Sequence, residues 1–303
     1  MKDKVGVIGL GAMGGGMAAS LRRAGYDVHV FDVRAEAAQR FATDGGTACA
    51  TLAELAAACP VIVSVVVNAA QTEAVLFGTG DDSGAGAGAG GCAASMRSGS
   101  VFVMCSTVDP SWSAALEPRL ASLGLLYLDA PISGGAARAA SGEITMMTAG
   151  SAAAYARCGP VLDAMAAKVY RLGEQAGAGS KVQVINQLLA GVHIAAAAEA
   201  MALGLREGVD PVALYEVITH SAGNSWMFEN RMPHVLAGDY TPLSAVDIFV
   251  KDLGLVLDLA RASKFPLPLS STAHQMFMQA SSAGHGREDD SAVIKIFPGI
   301  ALP

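Results

Sequence analysis

Three glycines constrain how this chain begins. Gly9-Leu10-Gly11-Ala12-Met13-Gly14 is a G-x-G-x-x-G that directly follows the β-branched run Val5-Gly6-Val7-Ile8 and opens an amphipathic stretch from Met17 to Arg23. Alone the pattern is weak, but between a strand and a helix each glycine has a physical task. The first permits a tight turn, the second lets the backbone approach a pyrophosphate, and the third lets the helix pack close to the strand. The unpaired amides at the helix N-terminus then face the phosphates. Asp32 closes the next β-branched run, Asp27-Val28-His29-Val30-Phe31. A carboxylate there accepts hydrogen bonds from the adenosine ribose and repels a 2′-phosphate, which favours NAD over NADP; Arg34, two residues on, is the residue type that pairs with such a phosphate and weighs the other way.

Further apolar runs follow at Val61-Ile62-Val63-Ser64-Val65-Val66-Val67, Val101-Phe102-Val103-Met104 and Leu125-Leu126-Tyr127-Leu128, separated by Ala-rich helical stretches. Strands this uniformly apolar are covered on both faces, and their alternation with helices builds βαβ units. The expected fold is therefore α/β: an N-terminal Rossmann-type doubly wound sheet over residues 1–176. Within it, the Gly/Ala-rich segment 78–95 cannot build a core and reads as a flexible surface insertion; no strand immediately precedes it, so it is not a phosphate loop. From Gly177 the strand signals stop, and helical patterns broken at Asp210-Pro211, Ala222-Gly223-Asn224, Tyr240-Thr241-Pro242 and Phe265-Pro266 imply an all-α domain over 177–303, opening with a long connecting helix. A length of 303 residues suits two domains.

Composition removes several function classes. With 20 basic and 27 acidic side chains the net charge is −7, and no basic run is present, so neither a nucleic acid nor an anionic membrane is an expected partner. Mean hydropathy is positive, but the long uncharged stretch Val182 to Ala198 contains Gln183, Asn186, Gln187 and His193 and reads as a buried helix rather than a bilayer span. Its apolar surface also points to a homodimer or homotetramer through the helical domain. Met1-Lys2-Asp3-Lys4 runs straight into the first strand, unlike a secretory signal. Five cysteines without a C-x-x-C pattern read as reduced and structural, and the expected location is the cytoplasm.

A second motif, Asp129-Ala130-Pro131-Ile132-Ser133-Gly134-Gly135, follows the fifth run. A serine before two glycines exposes a hydroxyl and two amides, a nest suited to a carboxylate, although by spacing alone an ordinary turn fits equally well. Two further motifs are Gly177-Ala178-Gly179 leading to Asn186-Gln187, and Lys251-Asp252-Leu253.

Together these four motifs resemble the β-hydroxyacid dehydrogenases, the family of 3-hydroxyisobutyrate dehydrogenase, from Val5 to about Phe297. The stretch 186–203 and the segment His220-Ser221-Ala222-Gly223-Asn224-Ser225-Trp226 are most similar to its L-threonate dehydrogenase branch. The resemblance implies an NAD-dependent enzyme that takes hydride from a short hydroxy acid in a cleft between a Rossmann domain and a helical domain. It also implies site roles. Gly9, Leu10, Gly11, Ala12, Met13, Gly14 and Asp32 hold the cofactor. Val66 and Val67 match further cofactor contacts, Gln71 a polar one and Thr107 a threonine beside the nicotinamide ribose. Ser133, Gly134, Gly135 and Asn186 match substrate contacts. Lys251 matches a lysine near both cofactor and substrate; by spacing alone it forms a solvated i,i+4 pair with Asp247.

One position departs from the family. Its acid/base lysine stands four residues after the second glycine of the G-x-G and three before the asparagine, where it exchanges a proton with the substrate oxygen. Here that residue is Gln183. Lys181 lies two positions earlier and points about 200° away around a helix. A glutamine binds a hydroxyl but exchanges no proton, so the expected enzyme is weakened unless another residue serves. His193, seven residues after Asn186, shares its helical face but reads as a core histidine, and His220 and His234 have no motif behind them. The competing readings are another hydroxy-acid substrate (3-hydroxyisobutyrate, glycerate or tartronate semialdehyde), an imine reductase, and an inactive NAD-binding protein.

Overall fold

The computed structural model describes residues 3–78 and 90–303. By compactness the chain divides into two units, Met1–Gln183 and Val184–Pro303. The strand signals alone place the break at 176/177. The structure assigns the first turns of the following helix to the first unit, because Ser180 and Gln183 hydrogen-bond within it, to Asp129 and to Thr107 and Ile132.

The first unit is a sheet with helices between its strands. Its elements are β1 (Lys4–Ile8), α1 (Gly14–Arg23), β2 (Asp27–Phe31), α2 (Ala35–Thr43), β3 (Thr47–Ala48), α3 (Leu52–Ala58), β4 (Val61–Ser64), α4 (Ala69–Phe77), β5 (Val101–Met104), α5 (Pro110–Ala121), β6 (Leu126–Asp129), β7 (Ile132–Ser133), α6 (Gly135–Ser141), β8 (Ile144–Gly150), α7 (Ala152–Asp163) and β9 (Ala166–Arg171). Spatial order is β3-β2-β1-β4-β5-β6-β8-β7, with β9 on β8. The first six strands run parallel, while β8 is antiparallel to β6 and β7. Alternate residues of a strand feed opposite faces: Val101 and Val103 enter one core with Met17 and Leu21, and Phe102 and Met104 enter the other with Leu52 and Leu116. Two apolar faces explain why these strands show no polar alternation.

The structure departs from the sequence expectation in three places. The run at Val61 is a strand only to Ser64; Val65 to Val67 leave the sheet. The strands β3, β7, β8 and β9 extend it beyond the five apolar runs. The insertion read over 78–95 falls mostly outside the described residues, but its end is core: Cys92 and Ala93 are buried, and Ala93–Ser95 form a short 3-10 turn that packs with α3.

The second unit contains α8 (Ala178–Arg206, inside which the division falls), α9 (Pro211–Thr219), α10 (Trp226–Ala237), α11 (Val246–Ser263) and α12 (Pro268–Ala280), then a 3-10 segment Asp290–Ile296. α8 is long and apolar enough to cross a membrane. Its Val184, Ala190, Ile194, Ala198 and Met201 instead lie in this unit's core with Phe228, Met232, Phe249, Leu253 and Phe277. The five cysteines are free and buried, and burial pushes the thiols of Cys59, Cys92 and Cys158 up to about 12.

Candidate active site

The turns after β1, β4, β5 and β6 all emerge at the C-terminal edge of the parallel strands, the edge at which doubly wound sheets bind ligands. In the first of these turns Gly9 has φ +89°, and a Cβ on Gly14 would lie 1.9 Å from the Gly9 carbonyl oxygen, so both must be glycine for α1 to start this close to β1. A Cβ on Gly11 would meet nothing within 4 Å. That open space is where a pyrophosphate approaches the backbone, so the cradle fits a dinucleotide. Asp32 reinforces the turn: its Oδ2 accepts from the Leu10 amide at 2.7 Å and its Oδ1 from the Arg34 amide at 2.8 Å. The Arg34 side chain is two-thirds exposed and only reaches the same carboxylate with Nε at 3.4 Å. Val66 and Val67 follow β4, where Ser106 Oγ donates to the Val66 carbonyl at 2.8 Å. Gln71 is exposed beside this turn, and its Oε1 accepts from the Val67 amide at 2.9 Å and braces that loop.

Ser133 ends the short strand β7, and Gly134 (φ +135°) and Gly135 (φ +77°) turn the chain into α6. A Cβ on Gly135 would again meet nothing within 4 Å, leaving the amides of the turn approachable. Position 183 reaches the base of this loop. Gln183 is 2% exposed, and its Nε2 donates to the Ile132 carbonyl at 3.1 Å and to Thr107 Oγ1 at 3.2 Å. Because a carbonyl only accepts, the amide nitrogen must face Ile132, and the Gln183 Oε1 is left buried without a hydrogen-bond partner. Lys181 is exposed, as its angular offset on the helix requires.

Sequence reasoning quoted Asp129 without a role. It ends β6 at 0% exposure, and its carboxylate accepts from the amides of Gly177 (2.8 Å) and Ser180 (2.9 Å) and from Ser180 Oγ (2.6 Å). Burial raises the Asp129 carboxyl above its usual range, opposed by these donors.

In the second unit two separate motifs meet. Asn186 Nδ2 donates to Gln187 Oε1 (3.1 Å), Gln187 Nε2 to Asp252 Oδ2 (2.6 Å), and Lys251 Nζ pairs with Asp252 Oδ1 (2.6 Å). The i,i+4 pair read for Lys251 and Asp247 is therefore replaced, since Asp252 is buried and nearer; Asp247 accepts from Ser281 Oγ instead. His193 is half-buried, His220 is exposed, and His234 faces Asp289 at 3.6 Å. Among the described residues no cluster of metal-ligating side chains occurs.

Comparison with known proteins agrees with this geometry. Residues 4–173 match the family described as the NAD binding domain of 6-phosphogluconate dehydrogenase, and residues 177–297 that described as NAD-binding of NADP-dependent 3-hydroxyisobutyrate dehydrogenase. The chain is 69% identical to an L-threonate dehydrogenase of Cupriavidus necator over 100% of its own length and 99% of the relative's. A crystal structure of a 3-hydroxyisobutyrate dehydrogenase from Salmonella typhimurium is similar at 52% identity and TM-score 0.91, covering 98% of this chain and 100% of that one. An imine reductase from a Pseudomonas species, 23% identical over 97% of this chain and 99% of its own with TM-score 0.63, shares the fold alone. A glycine cradle open above Gly11, an acidic residue at the end of β2 and relatives of this identity over the whole chain place the protein in the β-hydroxyacid dehydrogenases of the 3-hydroxyisobutyrate dehydrogenase type: it is an NAD-dependent hydroxyacid dehydrogenase.

Proposed function

We propose that the substrate is L-threonate and that the enzyme works at a reduced rate because position 183 holds a glutamine. What carries the substrate is the 69% identity, over the full chain, to a protein named L-threonate dehydrogenase. What carries the rate is the buried Gln183 amide, whose Oε1 has no partner.

When bound, the nicotinamide supplies the hydride acceptor. The protein's own residues do the rest. Gly9 to Gly14 and Asp32 hold the dinucleotide, and Val66, Val67 and Thr107 lie on the neighbouring turns. Ser133 and the amides of Gly134 and Gly135 receive the substrate carboxylate. Gln183 Oε1 accepts a hydrogen bond from the reacting hydroxyl and orients it. It cannot take the proton, which is left to water, and the absence of a positioned base costs about 10²–10⁴ in rate. Retention of the serine-glycine nest favours a carboxylate substrate over an imine. The five buried thiols, none in a disulfide, fit a reducing cytoplasm.

The test is NADH formation with L-threonate, glycerate and 3-hydroxyisobutyrate, beside a cyclic imine with NADPH. Threonate should give the highest kcat/KM. Preference for another hydroxy acid overturns the substrate assignment, and imine reduction alone overturns the reaction.

A further inference from the structure

The helix that carries position 183 begins in an unusual way. Lys181 donates its amide to the Gly177 carbonyl at 2.9 Å, so Gly177 is the N-cap of α8 and Ser180 its third residue. A helix start ordinarily satisfies its orphan amides with the oxygen of a Ser, Thr, Asp or Asn at the cap. Gly177 has no such oxygen and has no room for one: it sits at φ +97°, and a Cβ there would lie 2.8 Å from the Pro110 carbonyl oxygen. Gly179 is equally confined, since its Cβ would lie 2.4 Å from the Met147 carbonyl oxygen. α8 therefore starts pressed onto the sheet with a cap residue that cannot cap.

Asp129 supplies the missing oxygen from 48 residues away. One carboxylate oxygen takes the amides of Gly177 and Ser180, as an N-cap side chain would, and the other takes the Ser180 hydroxyl. The same residue ends β6, three residues before Ile132, whose carbonyl receives the Gln183 amide. Register along α8 and the start of the serine-glycine loop are thus referred to a single buried carboxylate, which the positive end of the helix dipole also favours.

We propose that Asp129 is a positioning residue for the hydroxyacid reaction, holding α8 so that position 183 meets the substrate loop at the distance that the reacting hydroxyl requires. The inference rests on the dehydrogenase reading, and its experiment carries a readout independent of turnover. The intact protein is labelled with ¹⁵N-glutamine, and the Gln183 side-chain amide is assigned by its loss in Gln183→Ala. Asp129→Asn keeps shape and removes one acceptor oxygen; Ser180→Ala removes only the hydroxyl and serves if the first variant does not fold. Either variant should shift the Gln183 amide signals and speed their exchange with solvent, with NAD affinity changed less than twofold. A displacement of the order of 1 Å at a reacting centre costs about 10²-fold, so Asp129→Asn should lower threonate turnover by about that factor on the wild-type chain and by less than twofold on Gln183→Ala. Unmoved Gln183 signals, or equal losses on both backgrounds, overturn the proposal and leave Asp129 as a stabilising cap. If the wild-type chain does not oxidise threonate while the Gln183 signals still move, the positioning stands and the substrate reading falls.

Discussion

The proposed chemistry turns on the amide at position 183. The amide there is fixed by Ile132 and Thr107, which leaves Gln183 Oε1 buried without a hydrogen-bond partner, and in the proposed reaction that oxygen receives the reacting hydroxyl without accepting its proton. Replacing Gln183 with Lys should raise the rate of hydroxy-acid oxidation by about 10²-fold or more and introduce a pH dependence set by the new ammonium, measured as NADH formation across pH. NAD affinity should stay constant, because Asp32 and the glycine turn are untouched. Lys181→Ala should be silent, since Lys181 is exposed; loss of activity in that variant, with no gain in Gln183→Lys, would show that Lys181 is the base. Asp32 governs cofactor choice in the same local way. Its side chain is only 6% exposed, so its charge is poorly screened, whereas Arg34 projects into solvent at 66%. Calorimetry should find NAD bound at least about tenfold more tightly than NADP, a difference of roughly 1.4 kcal/mol; equal affinity would mean that Arg34 outweighs the carboxylate.

At the scale of elements, the cofactor helix and the substrate loop are mechanically joined. α6 begins at Gly135 and packs on α1, where Ser20 Oγ donates to the Ala139 carbonyl at 3.1 Å and a Cβ on Gly16 would lie 2.6 Å from the Ala140 amide nitrogen. Backbone cannot yield as a flexible side chain does. Gly16→Ala should therefore push α6 off α1, cost about 1–3 kcal/mol in thermal unfolding, and raise KM for the hydroxy acid more than KM for NAD. A second link, between α4 and α5, is the Glu73–Arg119 pair at 2.6 Å. The hydrogen bond from Arg119 is the main cause that lowers the Glu73 carboxyl below its ordinary range. A carboxyl lowered on folding stabilises the protein above its unfolded pKa, near 4.5, and loses that contribution as pH falls through the lower folded value. Both side chains are partly exposed, so Glu73→Gln should cost less than about 1 kcal/mol at pH 7 and progressively less as pH falls through the folded value, read from urea unfolding across pH.

For the whole molecule, the outer face of α8 and the helix after it are too apolar to face water alone. Val182, Ile185 and Leu189 are exposed at helical spacing, and α9 has no buried residue although Val212 and Val217 are more than half exposed. Light scattering at micromolar concentration should give two or four times the 30.7 kDa chain mass; a monomer mass would show that these faces stay open. Much of the architecture was legible without coordinates. The glycine turn, Asp32, the uniformly apolar strands and the change to helical periodicity after Gly177 are properties of short windows, and local sterics and burial read them directly. Strands β3 and β7 to β9 escaped because Thr47-Ala48 and Ile132-Ser133 are too short to show a period, and the stretches at Ile144 and Ala166 mix apolar with polar residues. The contacts around the site were not legible at all. Gln183 with Thr107, Gln187 with Asp252 and Ser180 with Asp129 join residues 76, 65 and 51 positions apart. The sequence by itself determined the glycine turn, the five apolar strands and the helical second half, and that position 183 holds an amide where the resemblance places a lysine. Only the tertiary structure decided that Lys251 pairs with Asp252 rather than Asp247, that Gln71 braces its own loop, and that a glycine cap on α8 borrows its carboxylate from β6. The Lys251 pair depends on which side chain the fold buries, and the borrowed cap on which chain ends the sheet brings together, and neither is encoded in a local pattern of residues.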